Sequence, residues 1–130
     1  MKSMEHELST FCPMYHRAVE LIGRRWTGAI LRALLTDVNR FNTLAAAVPG
    51  LSDRMLAERL KELEVEGLVV RSVIPETPVR VEYSLTAKGR SLESVVRAVA
   101  DWAEFWAAQG TAQETAQEPA IEEKAGITAA

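Results

Sequence analysis

Cysteine occurs once in these 130 residues, at Cys12. One thiol excludes an intramolecular disulfide and a cysteine-built zinc site within a single chain. No apolar run approaches the roughly 20 residues of a membrane-spanning helix. The opening stretch, Met1 to Glu7, is polar where a secretory signal needs an apolar centre. The sequence therefore predicts an intracellular, cytoplasmic protein. No phosphate loop or acid–base cluster stands out, so no enzyme, cofactor or metal site is expected. A thiol peroxidase resting on Cys12 would lack a resolving cysteine in its own chain. Positive charge is also scarce: 15 Lys and Arg stand against 18 Asp and Glu, a net charge of -3. That balance does not advertise a nucleic-acid binder.

The distribution of charge says more than its total. Beyond Gly110, Glu114, Glu118, Glu122 and Glu123 face Lys124 alone. Residues 1–109 are then neutral, and a neutral domain binds DNA when its cations share one face. Apolar residues make up 48% of the chain, enough for one compact core. The expected organisation is an arm over 1–11, a folded domain over 12–109 and a disordered acidic tail over 110–130. Pro13 opens a helix to about Ile22, with Met14, Ala18, Leu21 and Ile22 on one face, and Gly23 ends it. A second helix runs from about Trp26 to Leu35. Arg40-Phe41 suits only an edge strand. Asn42 caps a short helix to Val48, and Pro49-Gly50 forces a turn. Ser52 caps the next helix, to Glu66, with Leu51 and Leu56 at the staple positions. Gly67 closes it in the left-handed conformation. Residues 68–74 and 79–85 form a β-hairpin around the stiff tip Pro75-Glu76-Thr77-Pro78. Thr86 caps one long helix to about Ala108. This order predicts an α+β, mostly α fold: a winged helix-turn-helix with added N- and C-terminal dimerisation helices.

On the helix from Ser52, Leu56, Leu60 and Leu63 form the buried seam. Arg54, Glu58 and Lys61 lie opposite; Met55 and Arg59 lie on one shoulder and Ala57 on the other, and all six are expected to face DNA. A recognition helix presents its N-terminal residues to base edges in the major groove. Arg54 is thus the expected base contact, since arginine can donate twice to guanine. Glu58 accepts from cytosine or neutralises a neighbour. Lys61 and Arg59 are expected at phosphates, and Ser52, Asn42 and Thr43 hold phosphate at helix starts. Arg40 and the wing residues Arg71 and Arg80 complete the expected DNA-facing set. The plainer readings are an Arg54–Glu58 pair on a solvated face and a pair of Arg80 with Glu76 or Glu82.

The last helix carries two apolar stripes. Leu92, Val96, Val99, Ala103 and Trp106 form one; Val95, Trp102 and Phe105 form the other. One stripe covers the domain's own core, and the second calls for a partner. A homodimer involving Met14, Leu92, Val95, Val99, Trp102, Phe105 and Trp106 is expected, with two reading helices about one DNA turn apart on a near-palindromic operator. A small-molecule pocket near Trp102, Trp106 and the first helices is a further option. Cys12, at a helix start and one turn from His16, suits an oxidant or electrophile sensor. The competing reading is an ordinary half-buried thiol.

The sequence resembles the HxlR-type regulators, winged-helix proteins related to the MarR group. The matching residues are Cys12-Pro13; Leu21-Ile22-Gly23 with Arg25-Trp26-Thr27; Arg40-Phe41; Pro49-Gly50-Leu51-Ser52; Met55-Leu56; and Arg59-Leu60. They continue with Glu62-Leu63-Glu64, Gly67-Leu68-Val69, Pro75-Glu76, the run from Pro78 to Thr86, and Gly89. The likeness spans roughly residues 11–107. It implies a homodimer built on the first and last helices and bound to operator DNA as a transcriptional regulator. It also implies, for some members, sensing through a cysteine near the N-terminus, the place of Cys12. Two departures stand out. Arg24-Arg25 replaces a common Gly-Lys before the tryptophan, and Ala57 replaces a commonly polar residue of the reading helix. The alternative function is a winged-helix protein-interaction module without DNA binding.

Overall fold

The computed structural model describes residues 7–110. Most of the expected acidic tail, and the arm before Glu7, lie outside the described residues. The elements run α1 (Pro13–Ile22), α2 (Thr27–Leu35), α3 (Phe41–Ala47), α4 (Asp53–Val65), β1 (Val69–Ile74), β2 (Arg80–Leu85) and α5 (Ala87–Arg90). A last helix, α6, covers residues 93–110. The chain divides into two units between Glu93 and Ser94.

Local chemistry sets the element ends in the first unit. Pro13 opens α1, where a missing N–H costs no helical bond. Gly23 ends α1 with φ −89°, donating to the Val19 carbonyl at 2.7 Å. The left-handed residue of this joint is instead Trp26, with φ +79° at the N-cap of α2. The second helix therefore starts at Thr27, one residue later than expected. The α3 helix starts earlier than expected, with Arg40 rather than Asn42 at its cap: Leu44 N donates to the Arg40 carbonyl at 2.8 Å. At α4, the Ser52 hydroxyl accepts from Met55 N at 3.1 Å. Gly67, φ +79°, closes α4 in a Schellman turn: Leu68 N donates to the Leu63 carbonyl at 2.9 Å and Gly67 N to that of Glu64 at 3.0 Å.

The wing is an antiparallel pair running from Val69 opposite Leu85 to Ile74 opposite Arg80. The expected edge strand at Arg40 is a single bridge to Glu82, reinforced by Tyr83 N donating to the Asn39 carbonyl at 2.7 Å. This bridge fixes the wing beside α3. The core gathers Ile30, Leu31 and Leu34 of α2, Leu44 of α3, Leu56, Leu60 and Leu63 of α4, and Leu68, Val69 and Tyr83 of the hairpin. The seam expected on α4 is thus the buried one. At about 1.5–3 kcal/mol for each fully buried leucine, those three side chains hold α4 in place.

The single long helix expected from Thr86 is broken. Thr86 does cap, its hydroxyl accepting from Gly89 N at 3.1 Å. After Arg90, Ser91 Oγ donates to the Lys88 carbonyl at 2.6 Å, and Leu92 N bonds three residues back, to Gly89. A serine that back-bonds within a helix competes with the main-chain ladder and bends it. Gly89 adds weak helix propensity beside it. The short α5 packs on the end of α4 and the start of β1: Thr86 Oγ1 donates to the Gly67 carbonyl at 2.6 Å, and Lys88 Nζ to that of Glu66 at 3.0 Å.

In the second unit, α6 carries large exposed apolar side chains. Val99, Trp102, Phe105 and Trp106 are each more than half exposed, and the rings of Phe105 and Trp106 meet edge-on at 5.1 Å. Among the described residues, no helix is long and apolar enough to cross a membrane.

Candidate nucleic-acid interface

Two adjoining hollows lie where α3, α4 and the wing meet. The larger, about 710 Å³, is bordered by Arg40, Asn42 and Thr43 at the start of α3, Ala57 of α4, and Arg71 and Arg80 of the wing. The smaller, about 320 Å³, is bordered by Ala57, Lys61, Glu64, Arg71 and Tyr83. Seven residues expected to face DNA thus border one surface. Four cations line it against the carboxylates Glu64 and Glu76, with Glu82 beside Arg80, so the surface carries a small cationic excess although the chain is net acidic. Arg40, Lys61 and Arg71 make no ion pair among the described residues. Ala57, small and exposed, leaves the floor open between them.

The arginines at the margins are engaged. Arg80 contacts Glu76 at 3.1 Å and Glu82 at 2.8 Å. The second contact is Coulombic, because the Nε–H is not aligned on that oxygen. Arg54 projects from the first turn of α4, its side chain 87% exposed, and pairs with Glu58 at 3.2 Å. An exposed i,i+4 pair of this kind is worth about 0.3–0.5 kcal/mol, so it is easily exchanged for a stronger partner. Ser52 is exposed and occupied as a cap; Met55 is half-buried.

These features are those of a winged helix-turn-helix, and the known proteins agree with that fold. The HxlR-like helix-turn-helix family model matches residues 21–111. The chain belongs to the HxlR-like helix-turn-helix family. It is 50% identical over 95 residues to the HTH-type transcriptional regulator YvaP of Bacillus subtilis, covering 73% of this chain and 88% of YvaP. It is 45% identical over 96 residues to the HTH-type transcriptional regulator YodB of the same organism, covering 74% and 86%. The solved reduced form of YodB superposes with TM-score 0.64 at 45% identity, covering 73% of this chain and 93% of YodB. YodB is also solved diamide-treated and quinone-bound. The redox regulator HypR in its oxidised form gives TM-score 0.65 at 38% identity, covering 72% and 95%. The chain is therefore an HxlR-type transcriptional regulator with redox-sensing relatives, in a family of regulators rather than enzymes.

One residue of α4 in this HxlR-type regulator is not where the sequence suggested. Arg59, expected at phosphates, is buried, 6% exposed. Its Nε donates to the Arg25 carbonyl at 3.0 Å and its Nη1 to Glu62 at 3.1 Å. The shoulder angle of Arg59 on the helix suits either outcome; the neighbouring α1–α2 joint, invisible to helical periodicity, decides it. Sequence reasoning also missed Arg24, which meets the same Glu62 at 3.0 Å. The Arg24-Arg25 departure from the common Gly-Lys was the available signal.

Cys12 is the N-cap residue of α1, half-exposed and free. His16 N donates to the Cys12 carbonyl at 2.9 Å, and the His16 ring lies 5.4 Å from that of Phe11. The HxlR match begins at residue 21, so Cys12 and most of α1 lie before it. Of the residues expected at a dimer interface, Met14, Val95, Val99, Trp102, Phe105 and Trp106 are exposed, and Leu92 is half-buried.

Proposed function

We propose that this regulator is a homodimer that reads a near-palindromic operator through α4, with Cys12 as an oxidant- or electrophile-sensing thiol. The observation that carries the reading is the basic surface shared by α3, α4 and the wing, with three cations free of ion pairs among the described residues beside an exposed helix start. In this reading Arg54 leaves Glu58 for a base edge. Arg40, Lys61 and Arg71 take phosphates with Asn42 and Thr43, and Arg80 enters the adjacent minor groove. The exposed apolar faces of α1 and α6 form the dimer contact, since exposed aromatic faces of this kind mark interaction sites. The sensor assignment draws on Cys12 standing half-exposed at a helix start and on the diamide-treated, quinone-bound and oxidised forms of YodB and HypR.

The test is selection of duplexes from a random library by the full chain, followed by titration at several salt concentrations. A discrete sequence should emerge, and Arg54→Ala should lose about 1–3 kcal/mol of binding while relaxing one operator position. If Arg54→Ala discriminates every operator variant as the parent does, the base-contact assignment is wrong. The second reading, a protein-interaction module, draws on the glutamates that occupy Arg54 and Arg80. It prevails if no duplex is enriched.

A further inference from the structure

Three consecutive residues at the α1–α2 joint each touch the helix-turn-helix. Arg24 pairs with Glu62 of α4 at 3.0 Å. The Arg25 carbonyl accepts from Arg59 of α4 at 3.0 Å. The indole edge of Trp26 lies against Gly50 in the α3–α4 turn, where an added Cβ would stand 3.3 Å from the ring. Arg59 also meets Glu62, so one carboxylate gathers both guanidinium groups. The joint itself is strained: Trp26 holds φ +79°, a conformation bulky residues rarely adopt and keep only when their surroundings enforce it. Beside it, the buried Thr27 hydroxyl has no hydrogen-bond partner among the described residues. The Arg24–Glu62 pair stands on the lip of an open cleft of about 690 Å³ between α1 and α4.

We propose that Arg59, with Glu62, is a positioning residue for DNA reading: it clamps α4 to the Arg24–Trp26 joint and so ties the pose of the reading helix to that of α1. A buried arginine bonded to a main-chain carbonyl and a shared carboxylate has one geometry, which fixes rotation and translation of α4 about its leucine seam. The charge is costly to bury; replacing a whole buried pair by apolar residues is often neutral, whereas removing one partner strands the other, and here Glu62 would keep Arg24 on a carboxylate already 33% exposed. The clamp therefore contributes placement more than fold stability. Movement of α1 reaches α4 through the joint, and the half-exposed Arg24 arm is the part that yields first.

The inference rests on the DNA-reading proposal for its functional consequence, and on hydrogen exchange for its mechanical one. Full-length Arg59→Met, Arg59→Lys and Arg24→Ala are compared with the parent chain. The measurements are affinity for the selected duplex and for an unrelated duplex, thermal melting, and amide exchange of α4 without DNA. The discrimination ratio should fall about 2- to 30-fold in the two Arg59 variants and toward the lower end in Arg24→Ala. Melting should fall modestly in the Arg59 variants, which leave the Arg25 carbonyl without its donor, and little in Arg24→Ala, while exchange in α4 should rise even for Arg24→Ala, which lies outside that helix. Unchanged α4 exchange in Arg24→Ala and in a folded Arg59→Met would overturn the clamp, whether or not DNA is bound. Equal loss on both duplexes with a shallower salt dependence would overturn it too, because that is the behaviour of a lost phosphate contact. Failure of the parent chain to select any duplex would instead refute the DNA-reading proposal, leaving exchange to decide the clamp.

Discussion

At the scale of single residues, surroundings separate arginines that composition treats alike. Arg54 is exposed and lightly paired, Arg71 makes no ion pair among the described residues, Arg80 is held by two carboxylates, and Arg59 is buried. Only the first three belong to the proposed reading surface. Cys12 poses a separate question, because a half-exposed thiol at a helix start serves either packing or chemistry. We predict that a quinone or mild oxidant changes DNA affinity of the parent chain and leaves Cys12→Ser unaffected, measured by titration of the same duplex. An equal response in Cys12→Ser would remove Cys12 from the mechanism. Arg59 itself was not legible in advance: periodicity placed it on a shoulder of α4, and its fate depended on a carbonyl 34 residues away in sequence.

At the scale of elements, closure of α4 depends on the segments C-terminal to it. Gly67 turns the chain, Thr86 and Lys88 bond the carbonyls at Gly67 and Glu66, and Gly89 lies against Leu68. A Cβ at residue 89 would collide with the Leu68 carbonyl oxygen, a main-chain atom that cannot swing away. Gly89→Ala is therefore predicted to destabilise the domain by about 1–3 kcal/mol, visible in thermal melting. An unchanged midpoint would show that α5 shifts freely against the Leu68 backbone. The same elements show which parts of a chain can be read unaided. The leucine seam, the Ser52 cap, the Gly67 turn and the hairpin follow from periodicity and local turn chemistry. The break after Arg90 does not, because it falls within an otherwise helical pattern, marked only by the Ser91 hydroxyl bonding the Lys88 carbonyl and by Leu92 N bonding Gly89 three residues back. The Trp26 conformation likewise answers to tertiary contacts, since nothing local favours a left-handed tryptophan. In the proposed interface the cluster of Arg40, Asn42, Thr43, Arg71 and Arg80 was predictable only as separate residues. The bridge from Arg40 to Glu82, with the Tyr83–Asn39 hydrogen bond, joins the wing to the segment that opens α3.

At the scale of the whole molecule, a net charge of -3 coexists with a basic surface. In the proposed reading, affinity for DNA comes from a few well-placed cations and from pairing of two copies. The exposed α6 aromatics are the means proposed for that pairing. Trp102→Glu is predicted to shift the chain toward monomer in sedimentation and to weaken operator binding far more than binding to a single half-site. A variant that sediments like the parent would place the dimer contact elsewhere. The glutamates beside Arg54 and Arg80 carry a last consequence. In the free protein, Glu58, Glu76 and Glu82 occupy the guanidinium groups as internal stand-ins for phosphate, so in the proposed reading DNA has to displace a resident carboxylate before it gains a contact. Each such exchange releases fewer counterions than binding to a bare arginine, which flattens the salt dependence and discourages casual binding along non-cognate DNA. Glu76→Gln is accordingly predicted to tighten binding to unrelated duplexes, and an unaltered affinity for them in titration would show that the resident anion imposes no such toll.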